Sequence, residues 1–207
     1  MKLINGWNKY GIADLNNPDS KYTGLLCDAS DSSLLVIDIQ TRLTDSMPVK
    51  VIERLKNNSA ILLSAAKILS IPVFATTQYS KGLGPIESTI ENQLPENTLR
   101  FEKTCFSCAD SEDVLQGLKQ CDRKQVILLG IEAHICVLQT AIGLLSHGYQ
   151  VFVALDAVCS RQRDNYENAI QRMADSNVII CNTESILFEW LRDASHTHFK
   201  AVSALIR

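Results

Sequence analysis

The sequence predicts an α/β protein in which a parallel β-sheet carries helices on both faces. Short runs of apolar, branched residues without polar alternation indicate strands that are covered on both sides. Segments with helical spacing of apolar residues separate these runs, and such alternation produces parallel strands joined by right-handed crossovers. The 207 residues contain no Gly-, Ser- or Pro-rich linker. We therefore expect one domain over residues 31–207, preceded by an N-terminal extension of residues 1–30.

The predicted elements follow one another in a regular order. The predicted strands are short apolar runs at 34–39, 71–77, 99–101, 125–130, 150–156 and 176–181. The predicted helices have apolar residues at helical spacing and cover 50–69, 111–119, a segment that has Cys136 in its first turn, a segment around 166–174, and about 183–193. Residues 81–85 contain two glycines and a proline and are predicted as a loop.

Composition excludes several function classes. The chain is 46% hydrophobic and 21% charged, which is typical of a globular protein, and its apolar runs are too short to cross a membrane. The N-terminal residues lack the apolar core of a secretory signal, and seven irregularly spaced cysteines suit reduced thiols, so we expect a cytoplasmic protein. A net charge of -3 provides no electrostatic attraction for nucleic acid. We therefore expect a small-molecule substrate.

Three reactive side chains follow predicted strands: Asp38, Lys103 and Cys136. Ligands of such sheets bind beyond the carboxyl ends of the strands. A thiol at the start of a helix faces unpaired N–H groups and the positive end of the helix dipole, so we expect a Cys136 thiolate. Other interpretations remain open at this point: Cys136 as core filler, Asp38 as a cap or structural ion pair, and Lys103 as a solvated surface residue.

Three segments around these residues carry a resemblance to a known family. LLVIDIQ contains Asp38, FEKTCFSC contains Lys103, and LLGIEAHICVLQTA contains Cys136. In this order they are similar to the isochorismatase-like cysteine hydrolase superfamily, which includes nicotinamidases and N-carbamoylsarcosine amidohydrolase. The resemblance covers the chain from about residue 32 onward. It implies a six-stranded parallel sheet in a three-layer sandwich and a homo-oligomer, for which Trp7, Tyr10 and Tyr22 are candidate interface residues.

The resemblance also implies a role for each reactive residue. Asp38 is the general base, Lys103 is the cation that orients it and favours the thiolate, and Cys136 is the nucleophile. A non-proline cis peptide is implied between Ile131 and Glu132, with the backbone N–H groups of Glu132 and Cys136 forming an oxyanion hole. The implied reaction is hydrolysis of an amide or carbamoyl compound through a thioester.

The substrate is less well defined by the sequence. Candidate binding residues are Leu43 after the first strand, Gln78 and Tyr79 after the second, and Phe106 after Lys103. Nicotinamidases carry a histidine-rich metal site after the second strand, whereas this chain has no histidine before His134. We therefore expect no metal and no cofactor at that site.

Two other function classes remain open. One is a redox-sensing protein of the same fold, in which Cys136 or the Cys105/Cys108 pair is oxidised and nothing is turned over. The other is a module that binds a small carboxylate or amide without cleaving it. Binding that is unaffected by Cys136→Ala would favour the second class.

Overall fold

The centre of the molecule is an all-parallel sheet, seen in a computed structural model that describes residues 25–207. Within these residues the strands are β1 Ser32–Ile37, β2 Val73–Gln78, β3 Leu99–Lys103, β4 Gln125–Ile131, β5 Gln150–Cys159 and β6 Ile179–Cys181. They form one six-stranded sheet in the order β3-β2-β1-β4-β5-β6. The predicted α/β class and its six-stranded parallel sheet are thus confirmed.

Helices cover both faces of the sheet. Within residues 25–207 they are α1 Thr41–Asp45, α2 Val49–Ile68, α3 Ser80–Leu83, α4 Ser88–Glu91, α5 Glu112–Cys121, α6 Leu138–Ser146, α7 Arg163–Asp175, α8 Thr183–Leu191 and α9 Phe199–Ser203. Helices α2 and α8 pack on one face, and α5, α6 and α7 pack on the other. No helix in this part of the chain combines the length and hydrophobicity that crossing a lipid bilayer requires.

The unbroken apolar runs form strands because the two faces of the sheet both bury side chains. In β1, Leu34 and Val36 belong to the core on the α2 face, whereas Leu35 and Ile37 belong to the core on the α5–α7 face. Side chains alternate between the two sides of a strand, so a strand inside a three-layer sandwich needs apolar residues at every position.

The chain reverses its direction of sheet growth between β1 and β4. From β1 it adds β2 and β3 on one side, then returns to place β4 on the other side of β1. At Gly130, β4 lies very close to β1, because a Cβ atom there would lie 2.1 Å from the carbonyl oxygen of Ile37. Gly130 also has φ +136°. Only glycine fits such an approach without strain. The crevice of an open α/β sheet lies at this reversal.

Several segments differ from the sequence prediction. The predicted loop at 81–85 overlaps the short helix α3, and β5 continues to Cys159 beyond the predicted end at 156. Residues 25–30, which we assigned to an extension, contact the domain: the Cys27 N–H donates to Glu189 and the Asp28 N–H donates to Gln125. The rest of the extension, with Trp7, Tyr10 and Tyr22, lies outside the described residues.

Candidate active site

The structure brings Asp38, Lys103 and Cys136 together at the carboxyl edge of the sheet, at the ends of β1, β3 and β4. Asp38 follows β1, Lys103 is the last residue of β3, and Cys136 lies between β4 and α6. The Lys103 Nζ atom is 2.6 Å from Asp38 Oδ2, and the same carboxylate is close enough to Cys136 to raise the pKa of its thiol. One buried carboxylate therefore interacts with both a cation and a thiol.

Both carboxylate oxygens of Asp38 accept hydrogen bonds. Thr76 Oγ1 donates to Oδ1 at 2.7 Å, while Lys103 donates to Oδ2. Asp38 itself has φ +51°, a left-handed conformation that turns the chain out of β1, and its N–H donates to the Thr76 carbonyl. Because the carboxylate is fully buried, these partners supply the hydrogen bonds that water would otherwise make to it.

The ammonium group of Lys103 is also fully buried. Besides Asp38, it donates to the carbonyl oxygens of Phe106 at 3.1 Å and Cys105 at 3.3 Å. Burial alone would lower the pKa of Lys103, but its interactions with neighbouring groups, first among them the negative charge of Asp38, outweigh burial and raise that pKa. Lys103 is thus a cation at neutral pH, and the solvated-surface interpretation of this residue is wrong.

The charge state of Cys136 differs from the sequence expectation. Burial raises the pKa of its thiol, the negative charge of Asp38 raises it further, and Lys103 only partly opposes this. The resting group is therefore the thiol, and the predicted thiolate is wrong for the unliganded protein. The physical reason is that a buried anion is disfavoured next to a second anion, whatever the helix dipole contributes.

The backbone around Cys136 also differs from a simple helix start. Residues Ala133–Val137 form a π-helical turn, in which the Val137 N–H donates to the Glu132 carbonyl at 3.3 Å, and α6 begins only at Leu138. The peptide bond between Ile131 and Glu132 is cis. Cys136 therefore lies just before α6, one turn beyond this bond.

The Glu132 side chain fixes this turn to the next loop. Its Oε1 atom is 2.8 Å from Arg161 Nε, and its Oε2 atom accepts the Arg161 N–H at 3.1 Å. His134 contacts Ser160 through Nδ1 at 2.9 Å. These contacts hold the turn between β4 and α6 against the loop after β5.

The four candidate binding residues have different settings. Gln78 is 7% exposed, its Nε2 donates to the Thr104 carbonyl, and its Oε1 is buried without a hydrogen-bond partner. Tyr79 and Phe106 are 56% and 53% exposed. Leu43 packs against the core on the α2 face. Gln78 therefore has an unused acceptor near the site, and the two aromatic rings are accessible.

Two residues at the site were not singled out by sequence as parts of it. Thr76 holds Asp38, but nothing in the apolar strand IPVFATT distinguishes it. Cys108 is fully buried, lies 3.8 Å from Thr76 Oγ1, and interacts electrostatically with Lys103 and Cys136. Burial raises the pKa of Cys108 to about 11, although Lys103 opposes the rise. The CxxC spacing with Cys105 was the one available signal, and both residues are free thiols.

Potential metal ligands gather elsewhere in the fold. Within residues 25–207, the group of His, Cys, Asp and Glu side chains arranged closely enough to hold an ion is Cys27, Cys181 and Glu189. It lies between the segment before β1, the end of β6, and α8.

Comparisons with known proteins cover most of the chain. Residues 32–185 match the family model described as Isochorismatase domain. Isochorismatase domain-containing protein 2 of Danio rerio is 38% identical over 176 residues, which span 84% of this chain and 86% of the relative. The structure of MAR1 ribonuclease from Caenorhabditis elegans has a TM-score of 0.82 at 37% identity and covers 87% of this chain and 92% of that one. The YcaC gene product of Escherichia coli, an octameric hydrolase of unknown specificity, has a TM-score of 0.81 at 24% identity and covers 88% and 89%.

Proposed function

The chain belongs to the isochorismatase family, and from that premise we propose that it is a hydrolase that uses Cys136 as a nucleophile on a small amide or carbamoyl compound. The observation that carries the proposal is the buried Lys103–Asp38 ion pair, whose carboxylate acts electrostatically on the Cys136 thiol. A nucleophile next to a base that is oriented by a third group is the arrangement that covalent catalysis requires.

The proposed first half-reaction forms a thioester. Asp38 takes the proton of the Cys136 thiol as sulfur attacks the substrate carbonyl carbon, and the carbonyl oxygen becomes an oxyanion. The backbone N–H groups of Glu132 and Cys136, which flank the turn after β4, bind this oxyanion. The C–N bond then breaks, and Asp38 returns its proton to the departing amine.

In the second half-reaction Asp38 acts as a base again. Its carboxylate removes a proton from a water molecule that attacks the thioester carbonyl, and the C–S bond breaks as the thiolate regains a proton. Lys103 stays charged throughout and keeps the carboxylate in place through the 2.6 Å contact. Because the resting sulfur is protonated, proton transfer to Asp38 accompanies attack and does not precede substrate binding.

Gln78 is the proposed recognition residue for the amide. Its Oε1 atom is buried and lacks a partner, and an unpartnered buried acceptor is costly. An amide N–H of the substrate would satisfy that acceptor. Tyr79 and Phe106 would cover the substrate from the exposed side, and Leu43 would act only through the packing beneath it.

Assembly and location are further proposals. The family resemblance favours a homo-oligomer, and YcaC, which shares the fold, is an octamer. Light scattering of the purified chain would test this. Reduced cysteines favour the cytoplasm.

Intact-protein mass spectrometry tests the proposed chemistry. The wild type, Cys136→Ala and Asp38→Asn are incubated with a pool of small amides and carbamoyl compounds, with Cys121→Ala as a matched control at a thiol of α5. We expect an acyl mass increment in the wild type and in the control, slower acylation in Asp38→Asn, and none in Cys136→Ala. Turnover that persists in Cys136→Ala would refute the assignment of Cys136 as the nucleophile.

The same samples separate the alternatives. The nematode neighbour is named a ribonuclease, but the net charge of -3 does not favour a polyanionic substrate. If the protein cleaves labelled RNA and this cleavage requires Cys136, an RNA substrate would replace the proposed amide substrate. Oxidation of Cys136 or of Cys105/Cys108 with no acyl adduct would favour a redox sensor, and saturable binding without turnover would favour a binding module.

A further inference from the structure

A second cluster of reactive side chains lies under α8, outside the site described above. The Cys27 and Cys181 sulfur atoms and a Glu189 carboxylate oxygen all lie within 4.8 Å of one another. Cys27 precedes β1, Cys181 ends β6, and Glu189 is on α8. Three separate parts of the fold thus converge through groups that all bind metals.

Local contacts hold the cluster in this arrangement. The Cys27 and Cys181 sulfur atoms lie within 4.8 Å of each other, and the Cys181 thiol donates to the Ile179 carbonyl at 3.9 Å. The Cys27 N–H donates to Glu189 Oε2 at 2.7 Å, which keeps the carboxylate beside the thiols. Both cysteines are buried, whereas Glu189 is partly exposed. The three ligand atoms are thus gathered together, two of them on buried residues.

We propose that Cys27, Cys181 and Glu189 bind a zinc ion. Tetrahedral Zn²⁺ with Zn–S bonds of about 2.3 Å requires its ligand atoms to lie about 3.5–3.8 Å apart. A cluster already within 4.8 Å needs only small side-chain shifts to reach that spacing. Two thiolates exclude Mg²⁺ and Ca²⁺, and the carboxylate oxygen favours Zn²⁺ over Cu(I). Water or the second carboxylate oxygen takes the fourth position.

Charge also supports this assignment. Two thiolates and a carboxylate carry three negative charges, of which Zn²⁺ neutralises two. The Arg192 guanidinium lies beside the cluster, because it donates to the Cys27 carbonyl at 2.8 Å. Bound zinc leaves one net negative charge on its three ligands, and its role would be structural, since it links the segment before β1 to β6 and α8.

Metal binding by the full chain tests this proposal. The reduced protein is treated with a chelator, desalted and titrated with Zn²⁺, and bound metal is measured after equilibrium dialysis. Co²⁺ is titrated in parallel because thiolate coordination gives it intense charge-transfer absorption. The variants are Cys181→Ser and Glu189→Gln, with Cys121→Ser and Cys136→Ser as controls for other thiols. Circular dichroism verifies that each variant is folded.

We expect one tightly bound Zn²⁺ per chain in the wild type and in both controls, with thiolate–Co²⁺ absorption and a higher melting temperature in the presence of Zn²⁺. Cys181→Ser should lose at least about 100-fold in zinc affinity, and Glu189→Gln should lose about 10-fold or more. Binding that is unchanged in Cys181→Ser, absent from the wild type, or lost in Cys136→Ser would overturn the proposal.

Discussion

Replacing Lys103 by methionine removes the ammonium group from a fully buried ion pair and keeps an unbranched apolar stem. In the structure this breaks the 2.6 Å contact with Asp38 and two hydrogen bonds to backbone carbonyls. Removing one partner from a buried pair costs about 3–5 kcal/mol, because the remaining charge stays buried without compensation. We therefore expect the free energy of unfolding at pH 7 to fall by about 3–5 kcal/mol.

A double-mutant cycle separates this electrostatic effect from lost packing. Asp38→Asn leaves the Lys103 charge uncompensated, whereas Lys103→Met/Asp38→Asn leaves neither charge. The double variant should therefore lose at least about 2 kcal/mol less than the sum of the single variants. Arg100→Met is the matched control on β3, because Arg100 and Glu91 form a pair that is 43% exposed on each side and is worth at most about 1 kcal/mol.

Urea unfolding followed by circular dichroism provides the four free energies, and m-values show whether each variant unfolds in two states. Additive losses within about 0.5 kcal/mol would show that Lys103 does not stabilise the buried carboxylate, and the electrostatic reasoning would then fail. An Arg100→Met loss as large as that of Lys103→Met would lead to the same conclusion. Amide turnover is a separate readout, and we expect it to be strongly reduced in both single variants and in the double variant.

Three further predictions follow from charge and packing. The negative charge of Asp38 raises the pKa of Cys136, whereas Lys103 lowers it. Asp38→Asn should therefore speed the alkylation of Cys136 by iodoacetamide at pH 7, but it should slow amide turnover about 100-fold or more because the general base is lost. Slower alkylation would contradict this electrostatic argument. Gly130→Ala should lower the free energy of unfolding, measured in urea, by at least about 1–3 kcal/mol more than Gly148→Ala. Both glycines have positive φ, but only at Gly130 would a Cβ atom meet backbone atoms, those of Ile37. Equal losses would count against this close approach of β4 to β1. Burial raises the pKa of Cys108 from 9.0 to about 11, so the stability that this thiol contributes is complete below pH 9 and is lost as the pH rises to about 11. The free energy of unfolding should therefore fall over that window by about 3 kcal/mol more in the wild type than in Cys108→Ala. Equal slopes in the two proteins would show that this thiol does not titrate on unfolding.

The sequence predicts the sheet well because its inner strands are buried on both sides. LLVIDI and QVILLG have apolar residues at consecutive positions, a pattern that a helix with one solvent face would not show, and both form strands. The short edge strand β3 was predicted from a weaker signal at 99–101. Helices α1, α3 and α4 were not predicted, because helices of four or five residues are too short to show periodicity.

The members of the candidate site could be predicted from sequence, but not their charge state. Asp38, Lys103 and Cys136 follow strands whose carboxyl ends share an edge, so topology alone brings them near one another. Whether a thiol there is ionised depends on its burial and on its distance from Asp38, neither of which is encoded in local sequence. The cluster of Cys27 and Cys181 could not be found for a similar reason, since these residues meet only after β6 and α8 have packed.

The position of Lys103 on the edge strand β3 has a consequence for how activity would be lost. Lys103 is the one fully enclosed residue of this strand; Leu99, Arg100 and Glu102 are exposed and Phe101 is half-buried, and β3 pairs with β2 alone. Edge segments with few buried contacts open at lower free energy than the core of a sheet. Fraying of β3 would withdraw the ammonium from Asp38 while β1 and β4 stay folded. Activity should therefore be lost at a lower denaturant concentration than the one that unfolds the whole protein. The loss of activity should parallel an increase in amide hydrogen exchange in β3.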